Sequence, residues 1–238
     1  MEESGTIQLA LDDRPVILRL RRSERARRVS LRIDPALGEV VVVLPSGADP
    51  AEGLRFASEK SAWIGRQIDT LPPRVPFAEG ATVPYRGAPH VLRRHPGRRA
   101  PPGRGPVWRS TGEIWIAGDP AHFSRRVRDW LIERAREILT GRAHAAARVL
   151  DRPVARLAVR DPKSRWGSCT ADGRLSFSWR LVLAPEGVLD YVTAHEVAHL
   201  VEMRHNRRFW ALVEGLCDDH RAARAWLAQH GPGLHRYG

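Results

Sequence analysis

In the first half of the chain, apolar residues alternate with polar residues or form short runs between turn-forming residues. Such patterns are typical of β-strands, because successive side chains of a strand point to opposite faces. They predict strands over residues 6–11, 16–20, 29–33, 40–44, 83–86, 90–93, 107–109 and 113–116. Between the fourth and fifth of these, apolar residues from Leu54 to Ile68 recur at helical spacing. This spacing predicts one helix over residues 49–70, ended by the two prolines that follow.

Helical periodicity dominates the second half of the chain. Asp119 followed by Pro120 is typical of a helix start, with a cap residue and proline at the first position. Strands are predicted over residues 154–159 and 174–179, and a last helix over residues 206–228. The predicted fold class is therefore α+β. A β-rich N-terminal region with one helix, residues 1–118, precedes a helical region with a small sheet, residues 119–238, and the two form one functional unit.

The most informative motif is H-E-x-x-H, formed by His195, Glu196 and His199. Two histidines four residues apart on a helix project from one face, so their imidazoles can bind one metal ion. The glutamate beside the first histidine can reach water on that metal and accept its proton. Apolar neighbours indicate that the helix is buried, and buried imidazoles need polar partners. The motif therefore predicts a metal-dependent hydrolase.

A catalytic zinc ion usually has three protein ligands and keeps one position for water. His205 is the nearest candidate for the third ligand, because an immediate turn after the motif brings it back with little loop entropy. We expect that turn near Arg204, with Asn206 capping the next helix. Glu214, on the following helix, is the alternative third ligand.

Four segments around the motif form a recognisable set: residues 165–169 (R-W-G-S-C), 178–181 (S-W-R-L), 195–200 (H-E-V-A-H-L) and 203–210 (M-R-H-N-R-R-F-W). Together they resemble the YgjP-like metallopeptidase family, which is related to the SprT-like zinc proteases. Residues 25–33, 38–42 and 60–64 resemble the same family, so the resemblance covers nearly the whole chain. It implies a zincin-like fold in the helical region, zinc as the cofactor, His195, His199 and His205 as ligands, and Glu196 as the catalytic base.

Length and composition narrow the class of protein. The chain has 238 residues, 42% hydrophobic and 28% charged, which is typical of a soluble globular protein. It shows neither a secretory leader at its start nor an apolar run long enough to cross a membrane. Its two cysteines, Cys169 and Cys217, cannot form a disulfide framework. A cytoplasmic location is therefore predicted. Cys169 is interpreted as a small buried apolar residue, with a reactive thiol or further metal ligand as the alternative.

Basic residues near the motif are candidates for substrate binding. The net charge is +12, and nearly all of the basic residues are arginines. Such a charge favours anionic partners. The alternative is a coding bias that places arginine at solvent-exposed positions. The candidate substrate-binding residues are Lys163, Arg165, Trp166 and Arg208. Salt bridges to Asp161 and Asp172 are the structural alternative for the first two, and core packing is the alternative for Trp166. The strand at residues 174–179 is the candidate to pair with an extended peptide.

The function predicted from these residues is that of a zinc-dependent metallopeptidase-like hydrolase acting on a peptide or protein. One alternative is a metal-dependent phosphohydrolase acting on nucleoside triphosphates, since the same metal and base could activate water towards phosphorus. A second alternative is a nucleic-acid-associated protein with a structural metal, which would show weak, salt-dependent binding. No membrane partner is expected.

Overall fold

A computed structural model describes residues 5–11, 14–97 and 99–238 of the chain. The chain divides into two compact units between Pro73 and Arg74. The boundary predicted between residues 118 and 119 lies inside the second unit, because strands before it and helices after it share one hydrophobic core. The sequence pattern changes from strands to helices near residue 118, but the packing of the chain is continuous there.

The first unit contains a sheet in the order β1-β2-β4-β3, with β2 and β4 parallel and the other pairs antiparallel. Its elements are β1 (Thr6–Leu11), β2 (Arg14–Ser23), β3 (Ser30–Asp34), β4 (Glu39–Pro45), α1 (Pro50–Glu59) and α2 (Ser61–Asp69). β4 lies inside the sheet, and its Val40, Val42 and Leu44 side chains are buried in the core of this unit, whereas Val43 on the other face is half-buried. Ala57 of α1 and Ile64 of α2 are buried in the core of this unit together with β4.

The single helix predicted over residues 49–70 is wrong, since the structure has α1 and α2 there. Lys60 leaves helical geometry with φ −104° and ψ 14° and ends α1. Ala57 and Ile64 lie two helical turns apart in sequence, so the apolar stripe continues across the break and hides it. The predicted start is confirmed, because the Asp49 side chain accepts a hydrogen bond of 2.9 Å from the Ala51 N–H.

The second unit begins with a sheet in the order β5-β6-β8-β7. Its elements are β5 (Thr82–Tyr85), β6 (Ala88–Arg94), β7 (Val107–Ser110), β8 (Glu113–Ile116), α3 (Phe123–Val149), β9 (Arg156–Arg160), β10 (Gly167–Cys169), β11 (Arg174–Ser178), α4 (Glu186–Ala198), α5 (Arg207–Leu216) and α6 (His220–Leu234). The long helix α3 buries one stripe at four-residue spacing, from Phe123 to Ala147. None of the helices in the described residues is long and apolar enough to cross a membrane.

A small second sheet, in the order β10-β11-β9, lies beside α4. The predicted α+β class is confirmed, as is the small sheet in the helical part. Two details differ from the sequence prediction. Residues 167–169 form the edge strand β10, and the single helix over residues 206–228 is two helices, because Cys217 adopts an extended conformation with φ −152° and ends α5.

Arg180 joins this sheet region to the C-terminal residues. Its guanidinium, 4% exposed, pairs with the Asp161 carboxylate at 2.7 Å. It also donates hydrogen bonds to the carbonyls of Leu234 at 3.1 Å and Tyr237 at 2.8 Å. A buried cation with all these partners holds the end of α6 against the segment that precedes α4.

We expect Arg180→Met to lower the free energy of unfolding by about 3 kcal/mol, because it leaves two buried carbonyls and one carboxylate without their donor. Urea denaturation measures this change. The matched control is Arg174→Met, which removes an exposed ion pair with Asp172 and should cost less than about 1 kcal/mol. Equal losses in the two variants would contradict the role assigned to Arg180.

Candidate metal centre and active site

The helix α4 presents two of the three candidate ligands. It begins after Pro185 with Glu186 in its first turn, and His199 caps its end. The imidazoles of His195 and His199 lie on one side of the helix with ring centroids 5.1 Å apart. Most of the other side chains of α4 are buried, so the helix is fixed in position by packing.

The chain turns back directly after α4 and returns His205 to this pair. The carbonyl of Glu202 lies 3.0 Å from Nδ1 of His199, and the Glu202 carboxylate accepts a hydrogen bond of 3.0 Å from the Arg204 N–H. Asn206 then caps α5, accepting from the Phe209 N–H at 3.0 Å, which confirms the predicted cap. The turn therefore starts earlier than expected and is stabilised by Glu202.

The three imidazoles converge on one point. Nε2 of His195 lies 3.1 Å from Nε2 of His205, and ligand atoms of all three histidines lie within 4.8 Å of one another. Two neutral imidazole nitrogens that face each other at this distance bring their lone pairs together, unless a proton or cation lies between them. A set of nitrogen ligands with this spacing fits a divalent transition metal such as zinc.

Phe209 holds the three rings in this arrangement. Its side chain is fully buried, with ring centroids 4.9 Å from His195, 4.5 Å from His199 and 4.7 Å from His205. Tyr191 contacts His195 from one turn earlier on α4, with centroids 5.8 Å apart. The ligand motif alone indicates no role for Phe209 at the site, and its position in the segment 203–210 is the signal that could have indicated one.

The protonation of the histidines suits metal binding. The pKa of His195 is lowered to about 4, mainly by burial and to a smaller extent by the neighbouring His199 and His205. Its ring is therefore neutral near pH 7. Burial is also the largest cause of the lowered pKa of His199. A carbonyl at Nδ1 of His199 keeps a proton on that nitrogen and leaves Nε2 free as a ligand, as is common at metal sites.

Glu196 directly follows His195 on α4, and its side chain lies against a glycine. Its side chain is buried, and burial raises its pKa to about 7, although the charge of Arg165 acts in the opposite direction. A carboxyl that titrates near neutral pH suits proton transfer. A Cβ atom at Gly167 of β10 would lie 2.5 Å from Oε1 of Glu196, closer than any side chain permits. Gly167 is thus required for Glu196 to lie here, and no local sequence pattern indicates this role.

The alternative third ligand, Glu214, does not join the cluster. Its carboxylate is exposed and lies 3.4 Å from the Arg221 guanidinium. Cys169 does not join it either: burial raises the pKa of its thiol to about 11, and the S–H group donates to the Thr170 carbonyl. A protonated, half-buried thiol agrees with the interpretation of Cys169 as a small apolar residue.

The candidate substrate-binding residues have different surroundings. Lys163, Arg165 and Arg208 are exposed. Asp161 forms its ion pair with Arg180, and Asp172 forms its ion pair with Arg174. The salt bridges considered for Lys163 and Arg165 therefore have different cations. Of these three cations, Arg165 is the one whose charge acts on Glu196.

Trp166 is a packing residue in this structure. Its ring lies 5.0 Å from that of His235, and a Cβ atom at Gly231 of α6 would lie 3.0 Å from it. The prediction that residues 174–179 pair with an extended peptide is wrong, because β11 has β10 on one side and β9 on the other. Among the described residues, β10 has a strand partner on one side only, and its Gly167 lies against Glu196. The strand has three residues, too few for an alternation that a sequence pattern could reveal.

The family model of the YgjP-like metallopeptidase domain matches residues 27–230. The chain belongs to the YgjP-like metallopeptidase family. No curated protein and no solved structure matches it. Family membership supports a metal-dependent, peptidase-like function and a metal ion at the cluster of three histidines.

We expect His205→Ala to lower the affinity for zinc by about two orders of magnitude or more, because one of three nitrogen ligands is lost. Zinc competition with a chromogenic chelator measures the affinity. Glu214→Ala is the matched control, since its carboxylate lies outside the cluster, and it should bind zinc as the unchanged protein does. Weaker binding in Glu214→Ala with full binding in His205→Ala would reverse the assignment.

Proposed function

We propose that this protein is a zinc-dependent peptidase in which His195, His199 and His205 hold the metal and Glu196 is the general base. The observation that carries the proposal is the convergence of three imidazoles, with a buried carboxylate one residue after the first of them on the same helix. When bound, zinc would polarise the scissile carbonyl and lower the pKa of its bound water towards neutral pH. The family membership supports the reaction class.

Glu196 performs the proton transfers in this proposal. The carboxylate accepts a proton from the attacking water and returns it to the leaving amine. Its burial restricts its motion, and the glycine at position 167 lets it approach the reacting centre from the side of β10. A proton acceptor fixed in this way saves the entropy cost of bringing it into position during the reaction.

The edge of β10 is the proposed alignment site for the peptide. This strand pairs on one side with β11, so its other side can pair with an extended chain. Gly167, its first residue, contacts Glu196, so a peptide paired with β10 passes next to the base. Arg165, directly before Trp166, is the proposed partner of a substrate carboxylate or of the oxyanion that develops during attack. Lys163 and Arg208 are proposed as weaker, exposed contacts.

Peptide hydrolysis is preferred over the two alternatives. The family match concerns metallopeptidases and gives no support to nucleoside triphosphates or nucleic acid as partners. Release of phosphate or pyrophosphate from a nucleoside triphosphate, without peptide cleavage, would assign the site to phosphoanhydrides instead.

We expect Glu196→Gln to keep one zinc per chain and to reduce cleavage of a fluorescently labelled unfolded protein by about 100-fold or more, because the general base is lost. Metal analysis and the initial rate of cleavage measure the two quantities. Glu214→Gln is the control, since it neutralises an exposed carboxylate outside the cluster. Wild-type cleavage by Glu196→Gln would refute the catalytic assignment.

We expect Gly167→Ala to reduce the same rate by about 100-fold while zinc remains bound, because the new methyl group displaces the Glu196 carboxylate. Gly215→Ala, on α5, adds a methyl group with no atom within 4 Å and should leave the rate unchanged. The position of Glu196 is wrong if Gly167→Ala cleaves as fast as this control.

A further inference from the structure

A second groove lies in the first unit, formed within residues 28–66. It has a volume of about 720 Å³. Residues 28–31, at the start of β3, form one wall, and α1 and α2 contribute the other through Phe56 and Trp63. We name it the β3 groove. The proposed reaction uses none of its residues.

The first wall of the groove leads into the edge of a sheet, since Ser30 and Leu31 are the first residues of β3. In the order β1-β2-β4-β3, the strand β3 pairs with β4 on one side only. In the part of the chain that the structure describes, no other strand pairs with its second side. Unpaired N–H and C=O groups at such an edge can bind an extended peptide as an additional strand.

The second wall offers apolar surface for side chains of an added strand. Trp63 of α2 has a relative exposure of 36%, and Phe56 is partly buried beside it in the groove. Val29 and Leu31 point towards the core of the first unit and form the floor. Exposed tryptophan next to a strand edge is typical of a binding surface, since Trp contributes strongly to interface affinity.

The charge of the groove selects the partner. Arg28, Lys60 and Arg66 line it, and all three are exposed. None of them forms an ion pair with a carboxylate of the described residues, and the Lys60 ammonium lies 5.9 Å from the Phe56 ring centroid. Three cations without an acidic partner attract an acidic ligand.

A second copy of the same chain is a poorer occupant. Antiparallel pairing of β3 with another β3 would bring the cations of one groove towards those of the other. Like charges opposite each other on neighbouring strands are destabilising. The charge therefore favours a different chain with acidic side chains.

We propose that the β3 groove binds an extended, acidic peptide segment, which adds to the sheet of the first unit at β3. Main-chain hydrogen bonds to β3 give affinity, contacts with Trp63 and Phe56 accept apolar side chains, and Arg28, Lys60 and Arg66 pair with acidic side chains. The groove is thus a docking site separate from the proposed zinc centre.

The test uses the full chain carrying Glu196→Gln, so that bound peptide is not consumed. The probe is a short fluorescein-labelled peptide that alternates valine with glutamate, and fluorescence anisotropy measures its affinity. We expect binding that weakens with added salt. Lys60→Glu and Trp63→Ala should each lower the affinity about fivefold or more.

Two controls separate this site from general attraction of acidic peptides. Arg55→Glu reverses an exposed charge of α1 outside the groove and should leave the affinity nearly unchanged. A probe with every second backbone nitrogen methylated keeps its charge but loses the strand hydrogen bonds, and it should bind at least about fivefold more weakly. Circular dichroism verifies that each variant is folded.

Several results would overturn the proposal. One is that the acidic probe does not bind. Another is that Lys60→Glu and Arg55→Glu lower the affinity for the probe equally. Full binding of the methylated probe would refute strand addition. A dimer in sedimentation analysis that Trp63→Ala dissociates would assign the groove to a second copy. Tighter binding of a single-stranded oligonucleotide than of the peptide, lost in Lys60→Glu, would assign it to nucleic acid.

Discussion

The candidate site depends on the packing of one buried aromatic ring against three imidazoles. His195, His199 and His205 come from a helix and from the turn after it, and Phe209 lies within 5 Å of each ring centroid. Dispersion contacts with a fully buried ring fix the imidazole planes without using their nitrogens as hydrogen-bond donors. The nitrogens therefore remain available to a metal, and the rings need little reorganisation when it binds.

Burial of Glu196 is a cost that the rest of the second unit must offset. Burial raises its pKa to about 7, so ionising it in the folded protein is unfavourable compared with water. The glycine at position 167 adds to the local cost, because it provides space for the carboxylate and no side chain of its own to pack. Such local conflicts between stability and chemistry are common at active sites. The buried Arg180 cluster and the stripe of α3 are examples of the packing that stabilises this unit.

The chemistry of the site was easier to predict from the sequence than its surroundings. Ligand spacing on one helix and the cap at Asn206 are local, so they follow from helical geometry alone. The contact between Gly167 and Glu196 joins residues far apart in sequence, and only the fold reveals it. The same reason explains the error over β11, because the order of strands in a sheet is set by tertiary packing and a strand pattern does not contain it. The break at Lys60 was hidden for a different reason, since the apolar stripe keeps its phase across it.

The distribution of charge shows why net charge alone predicts partners poorly. Residues 1–73 contain 11 basic and 11 acidic residues, so the whole excess of +12 belongs to residues 74–238. Because these charges cancel, the net charge of the first unit gives no reason to expect that it attracts anions. Its groove nevertheless carries three cations without an acidic partner among the described residues, and none of the residues that line it is acidic. At physiological salt a charge acts over about 8 Å, so a ligand in the groove responds mainly to the charges that line it. Recognition by this unit is therefore a matter of local charge and of the strand edge beside it.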